Sequence, residues 1–90
     1  TMTTEAVAMG LTFVFPRPKR LSAKRPTPRH TSRPDMDKVI RAIFDALTGV
    51  VWQDDSQIDD WLPMPGRRKR YAEPGETPGV AIVVEFTTPR

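Results

Sequence analysis

Cysteine is absent from this chain, which excludes disulfides and thiolate metal sites and fits a reducing compartment. No apolar run is long enough to span a membrane, no signal-peptide pattern is present and there are no internal repeats. The chain reads as soluble and intracellular. Its first residue is Thr1 rather than methionine, as would be expected of a trimmed or partial product. Acidic residues are missing altogether from Pro16 to Pro34.

Ninety residues suit a single domain over 1–90. A domain of this size buries only about 60 to 65% of the surface its unfolded chain exposes, so it is marginal alone and dimerisation would add buried area. Lysine and arginine number 14 against 11 acids, with a pI near 9.8. Their placement says more than their sum. Arg17, Lys19, Arg20, Lys24, Arg25, Arg29 and Arg33 fall in one proline-rich segment, and Arg67, Arg68, Lys69 and Arg70 form a second run. Seven acids lie between Asp35 and Asp60, so the linear map is basic, acidic, basic. Charge segregated by sign in this way favours a polyanionic partner over a merely solvated surface.

Ala6 to Phe15 alternates large and small apolar residues, the period of a strand with one buried face. Pro16 to Pro34 alternates proline with basic and hydroxyl residues and reads as a basic, flexible, exposed loop. His30, without partners in that loop, reads as solvated. Met36, Val39, Ile40, Ile43, Phe44 and Leu47 follow helical spacing and predict an amphipathic helix over Asp35 to Thr48, capped by Asp35 and stopped by Gly49. Phe44 should then be a core ring. Val50 to Gln53 reads as a short buried strand ending in Asp54 and Asp55, and Val80 to Phe86 as the last strand. Between them "DDWLPMPG" is demoted to edge or loop by Pro63 and Pro65.

A helix running antiparallel to a strand over Val50 to Gln53 would bring Asp55 level with Asp35 and Asp37. Converging carboxylates repel unless a cation neutralises them, and an all-oxygen set suits Mg²⁺ or Mn²⁺. Such a metal, flanked by phosphate-holding basic segments, would serve phosphodiester hydrolysis. Each part also has a plainer reading. Asp at a helix start is favoured as a cap, a double Asp often marks a turn, and Asp45 four residues after Arg41 makes an ordinary surface pair. Trp52 and Trp61 read as core or interface residues before base-stacking platforms.

The stretch "PDMDKVIRAIFDALTGVVWQDDSQI", Pro34 to Ile58, resembles the signature of the RusA-like Holliday junction resolvases of phages and prophages: P-D-x-D-N, a basic residue, D-A-L, G-v-v, then D-D-x-Q-I. The tail "KRYAEPGETPGVAIVVEF" matches more weakly but in the right order. The resemblance implies an α+β fold, a mixed sheet against one main amphipathic helix, in a homodimer. It implies a Mg²⁺-dependent endonuclease, with Mn²⁺ as substitute, that resolves four-way DNA junctions by paired nicks. It leaves no role for a membrane or a small-molecule substrate, and places the protein in the cytoplasm of a bacterium or phage-infected host. By position, Asp35, Asp37 and Asp55 would be catalytic metal ligands with Asp54 beside them, and Arg41 would stand for the family's helix lysine. DNA would be gripped by the two basic runs and Lys38.

Two departures stand out. Arg41 keeps the positive charge but cannot act as a base, and Lys38 replaces an asparagine. The family's first strand is expected to be missing here, and "DDWLPMPG" interrupts what is usually one strand. These departures favour an alternative, a catalytically weak or inactive protein that holds branched DNA by the same basic surface. A basic binder of single or double strands without junction preference is a third reading.

Overall fold

A computed structural model describes residues 3–87. Four strands and one helix follow the order β1 (Ala6–Phe15), α1 (Met36–Leu47), β2 (Ile58–Trp61), β3 (Arg67–Tyr71) and β4 (Gly79–Thr87), with a 3₁₀ turn at Asp55–Gln57. The class is the α+β expected, a mixed four-stranded sheet with one amphipathic helix. β1 is its central strand. β4 runs antiparallel along one edge of it, from Ala6↔Thr87 to Val14↔Gly79. On the other edge β2 pairs parallel with Val7 to Met9, and β3 pairs parallel with Leu11 to Phe15. β2 and β3 are therefore one interrupted strand laid end to end.

Side-chain alternation on β1 puts Val7, Met9, Leu11 and Phe13 on one face, and these with Trp52 form the buried core. The apolar arc of α1 packs against that face through Val39, Ile40, Ile43, Phe44 and Leu47. None of the helix residues is fully buried, so Phe44 borders the core rather than filling it. The helix has the expected bounds, Asp35 and Thr48 being its caps, although the Asp35 side chain makes no capping hydrogen bond. Gly49 follows in the left-handed region (φ 85°) and ends the helix as predicted.

The strand predicted over Val50 to Gln53 is not formed. The chain turns there instead: Val50 and Val51 donate backbone N–H groups to the Leu47 carbonyl, and Gly49 donates to that of Trp52. The β-branched residues serve a turn because Trp52, which is fully buried, must reach back under the helix, where its Nε1 donates to Thr48 Oγ1 at 2.9 Å. The strand comes later, at Ile58–Trp61, and includes the first part of the segment read as edge or loop. His30 is also not solvated. It is 8% exposed and sits between the rings of Phe15 and Tyr71, with centroids 4.6 and 4.4 Å away.

The segment Pro16–Pro34 is irregular and mostly exposed, but it is tied to the sheet. Arg17 donates to Thr27 Oγ1 at 2.6 Å and to the carbonyls of Ser22 and Arg25 at 2.9 and 3.0 Å, closing the basic loop on itself. At its far end Lys69 Nζ donates to the carbonyls of Ser32 and Pro34 at 2.6 and 2.7 Å, and Ser32 meets the Tyr71 hydroxyl at 3.0 Å. β3 thereby fixes the point from which α1 departs.

Candidate metal and nucleic-acid site

The polar side of α1 carries Asp37, Arg41 and Asp45 one turn apart, so they share a face. Arg41 Nη1 lies 3.9 Å from Asp45, the surface pair expected from the spacing, and 3.1 Å from Asp55 Oδ2. Asp55 thus meets the helix at its second turn. Asp35 faces a separate hollow with Arg33, Pro34 and Lys38.

Gln57 holds the acidic turn in place. Its Oε1 accepts the backbone N–H groups of Gln53 and Asp54, both at 2.9 Å, and its Nε2 donates to the carbonyls of Thr3 and Glu5 at 3.0 and 2.9 Å. All four hydrogen bonds of the amide pin Asp54–Asp55 to the start of β1. Asp54 completes the cap by accepting the Ser56 N–H at 2.9 Å. That backbone hydrogen bond, with the Ser56 hydroxyl, holds the Asp54 carboxyl below its ordinary pKa.

Beside Arg41 opens a cleft of about 490 Å³ between α1 and the β2–β3 edge. Asp37, Ile40, Arg41 and Phe44 line it from the helix, and Ile58 to Trp61 with Arg67 from the sheet. Phe44 and Trp61 stack with centroids 6.0 Å apart and planes inclined by 18°, and the Arg67 guanidinium lies 5.1 Å over the indole. Asp59, Asp60, Trp61 and Gln57 are the residues that sequence reasoning did not place in the site. The "DDW" triplet beside the DD motif was the only signal for the first three, whereas Gln57 is the Q of the D-D-x-Q-I pattern.

The donor types fit a hard cation, since all are carboxylate oxygens. The arrangement as it stands is not closed: among the described residues no three acidic or histidine side chains are gathered closely enough to hold one ion. Arg41 supplies the positive charge between Asp45 and Asp55.

Of the predicted DNA contacts, Lys19, Arg20, Lys24, Arg25, Arg29, Arg33, Lys38, Arg67 and Arg68 are exposed. Arg17 and Lys69 are engaged in the internal bonds described above. Arg70 is held by Glu76 through two bonds of 2.6 and 2.7 Å. A second basic hollow, lined by Arg29, Arg67, Arg68 and Arg70, runs along the outer side of β3.

The family model for endodeoxyribonuclease RusA matches residues 1–85. The uncharacterized protein YqaN of Bacillus subtilis (strain 168) is 32% identical over 68 residues, which is 67% of this chain and 48% of that protein. The chain therefore spans about half the length of this curated relative. No solved structure matches. Among the described residues no helix is long and apolar enough to cross a membrane.

Proposed function

Because the chain belongs to the RusA endodeoxyribonuclease family, we propose that it cuts four-way DNA junctions by paired, Mg²⁺-dependent phosphodiester hydrolysis. The observation that carries this reading is the contact of Arg41 with Asp55 at 3.1 Å beside a cleft that Asp37 and Arg41 line, flanked by exposed basic side chains. In this reading Asp35, Asp37 and Asp55 would hold the ion, with Asp54 beside them. Bound there, Mg²⁺ or Mn²⁺ supplies Lewis-acid polarisation of phosphate oxygen and a more acidic water.

With an ion held there, the Arg41 guanidinium would face the scissile phosphate. It remains protonated throughout, so it stabilises developing charge and moves no proton. Gln57 keeps Asp55 facing the helix. The exposed arginines and lysines of the Pro16–Arg33 loop grip the DNA backbone, which makes affinity fall steeply with added salt. A junction is itself nearly two-fold symmetric, so a homodimer offers a matched pair of cuts. The protein then works in the cytoplasm of a bacterium or phage-infected cell.

One observation favours a second reading. With Arg41 bonded to Asp55 and Lys38 nearby on the same helix, cationic side chains already balance the acids, as in a protein that holds branched DNA without cutting it.

A nicking assay on an end-labelled four-way junction, run with Mg²⁺, Mn²⁺ or chelator, separates the two. The expected result is symmetric, metal-dependent nicks that disappear in Asp55→Asn, with junction affinity equal or slightly higher because a charge near phosphate is lost. Cleavage retained in Asp55→Asn would remove that residue from the site. Tight binding with no nicks in either metal would move the function to the binding reading.

A further inference from the structure

The cleft beside Arg41 has an aromatic wall that metal binding does not use, and the strand break explains how it arises. Leu62 N–H donates to the Met9 carbonyl at 2.8 Å, and Leu11 N–H donates to the Gly66 carbonyl at 2.7 Å. The edge beside β1 therefore skips only Gly10 while the chain loops out through Pro63–Pro65. Trp61 stands opposite Met9 and Arg67 opposite Leu11. The two are neighbours on one face despite five intervening residues. Gly10 permits this, since a Cβ there would lie 2.6 Å from Pro65 Cδ.

The result is an indole backed by Phe44 and covered by a guanidinium, in a half-open cleft whose rim carries Asp37, Asp59 and Asp60. A phosphate does not suit a rim of three carboxylates. A flat, uncharged heterocycle with N–H groups on its edge does, because the ring stacks on the indole and the carboxylates accept its hydrogens. The volume of about 490 Å³ admits one such ring. Stacking of a base on an aromatic side chain is stronger than an exposed cation–π contact, so an entering base displaces Arg67, whose guanidinium is then free to meet the adjoining phosphate.

We propose that this cleft receives a single unpaired nucleobase, stacked on Trp61, from the branch point of the bound DNA. The proposal deepens the nuclease reading and rests on it: the same cleft ends at Asp37 and Arg41, so the captured base adjoins the phosphate offered for cleavage.

The test is a binding titration of the full chain in chelator, which keeps it independent of nicking. The probes are a fluorescently labelled four-way junction and the same junction made abasic at its crossover nucleotides. The wild type should bind the abasic junction about tenfold more weakly. Trp61→Ala should bind both alike at the weaker level, and Trp61→Phe should restore most of the difference. Tryptophan emission adds a readout that needs no variant. Trp52 is fully buried and Trp61 is not, so the intact junction should quench emission and the abasic one much less.

Equal binding of the two junctions by the wild type, or equal quenching by them, overturns the base pocket while leaving the nuclease reading in place. Failure to bind either junction overturns both.

Discussion

Arg70 and Glu76 form the best-defined ion pair among the described residues, two parallel bonds of 2.6 and 2.7 Å supplemented by the Glu73 N–H at 2.9 Å. The Arg70 bond, then that backbone bond, pull the Glu76 carboxyl from its ordinary value of 4.5 to about 2, and Arg70 is pushed upward in turn. A depressed carboxyl stabilises the fold above its unfolded pKa and loses that contribution as pH falls toward the folded one. The wild type should therefore lose this increment between about pH 4.5 and 2. Glu76→Gln should unfold at a lower midpoint at neutral pH and show a shallower loss across that window. Parallel curves for the two proteins would mean that the pair contributes nothing. None of this was legible in "KRYAEPGE", where the arginine reads as one of a basic run. Gln57 is a similar case, because a glutamine after a double Asp carries no hint that its amide bridges the chain to β1.

At the scale of elements, local periodicity found what is locally determined. β1 and α1 stand where alternation and helical spacing put them, because each is defined by a face that must be buried. The failure at Val50–Gln53 has the same cause in reverse. Its β-branched and aromatic residues fit a strand, but Trp52 must fill the core beneath α1, where it packs edge-on against Phe44 at 6.2 Å, and a turn delivers it there. Burial now ranks the two rings. Trp52→Ala should cost about 3 to 5 kcal/mol and Phe44→Ala, half-buried at the cleft, about 1.5 to 3 kcal/mol. Urea midpoints would check the order, and a larger loss at Phe44 would mean that the helix, not Trp52, anchors the core.

The whole molecule is elongated, with a radius of gyration of 15.4 Å and extents of 50 × 21 × 21 Å. A compact chain of this length would have a radius of about 12 Å. Along its side lies β4, nine residues that among the described residues pair with β1 alone, with Val80, Ile82, Val83 and Phe86 between 38 and 49% exposed. The strand bears no lysine or proline from Gly79 to Thr87, the residues that commonly protect an open edge. This is the surface on which the proposed homodimer would form, a second copy pairing its own β4 antiparallel. Sedimentation velocity should give a dimer for the wild type and a monomer for Val83→Lys, with the helical circular dichroism unchanged. A monomeric wild type at micromolar concentration would end the dimer proposal.

The amino-acid sequence by itself determined the strand–helix–strand frame, the alternation of basic and acidic blocks, and the family to which the motif from Pro34 to Ile58 belongs. These are properties of neighbouring residues, set by side-chain period and by charge order along the chain. Tertiary structure alone decided that Asp55 meets Arg41, that His30 is buried between Phe15 and Tyr71, and that Trp61 and Arg67 share one wall of a cleft. Each of those depends on where a turn closes or where a strand resumes its register, and a shift of a few residues in either would leave the local pattern unchanged while placing different side chains together.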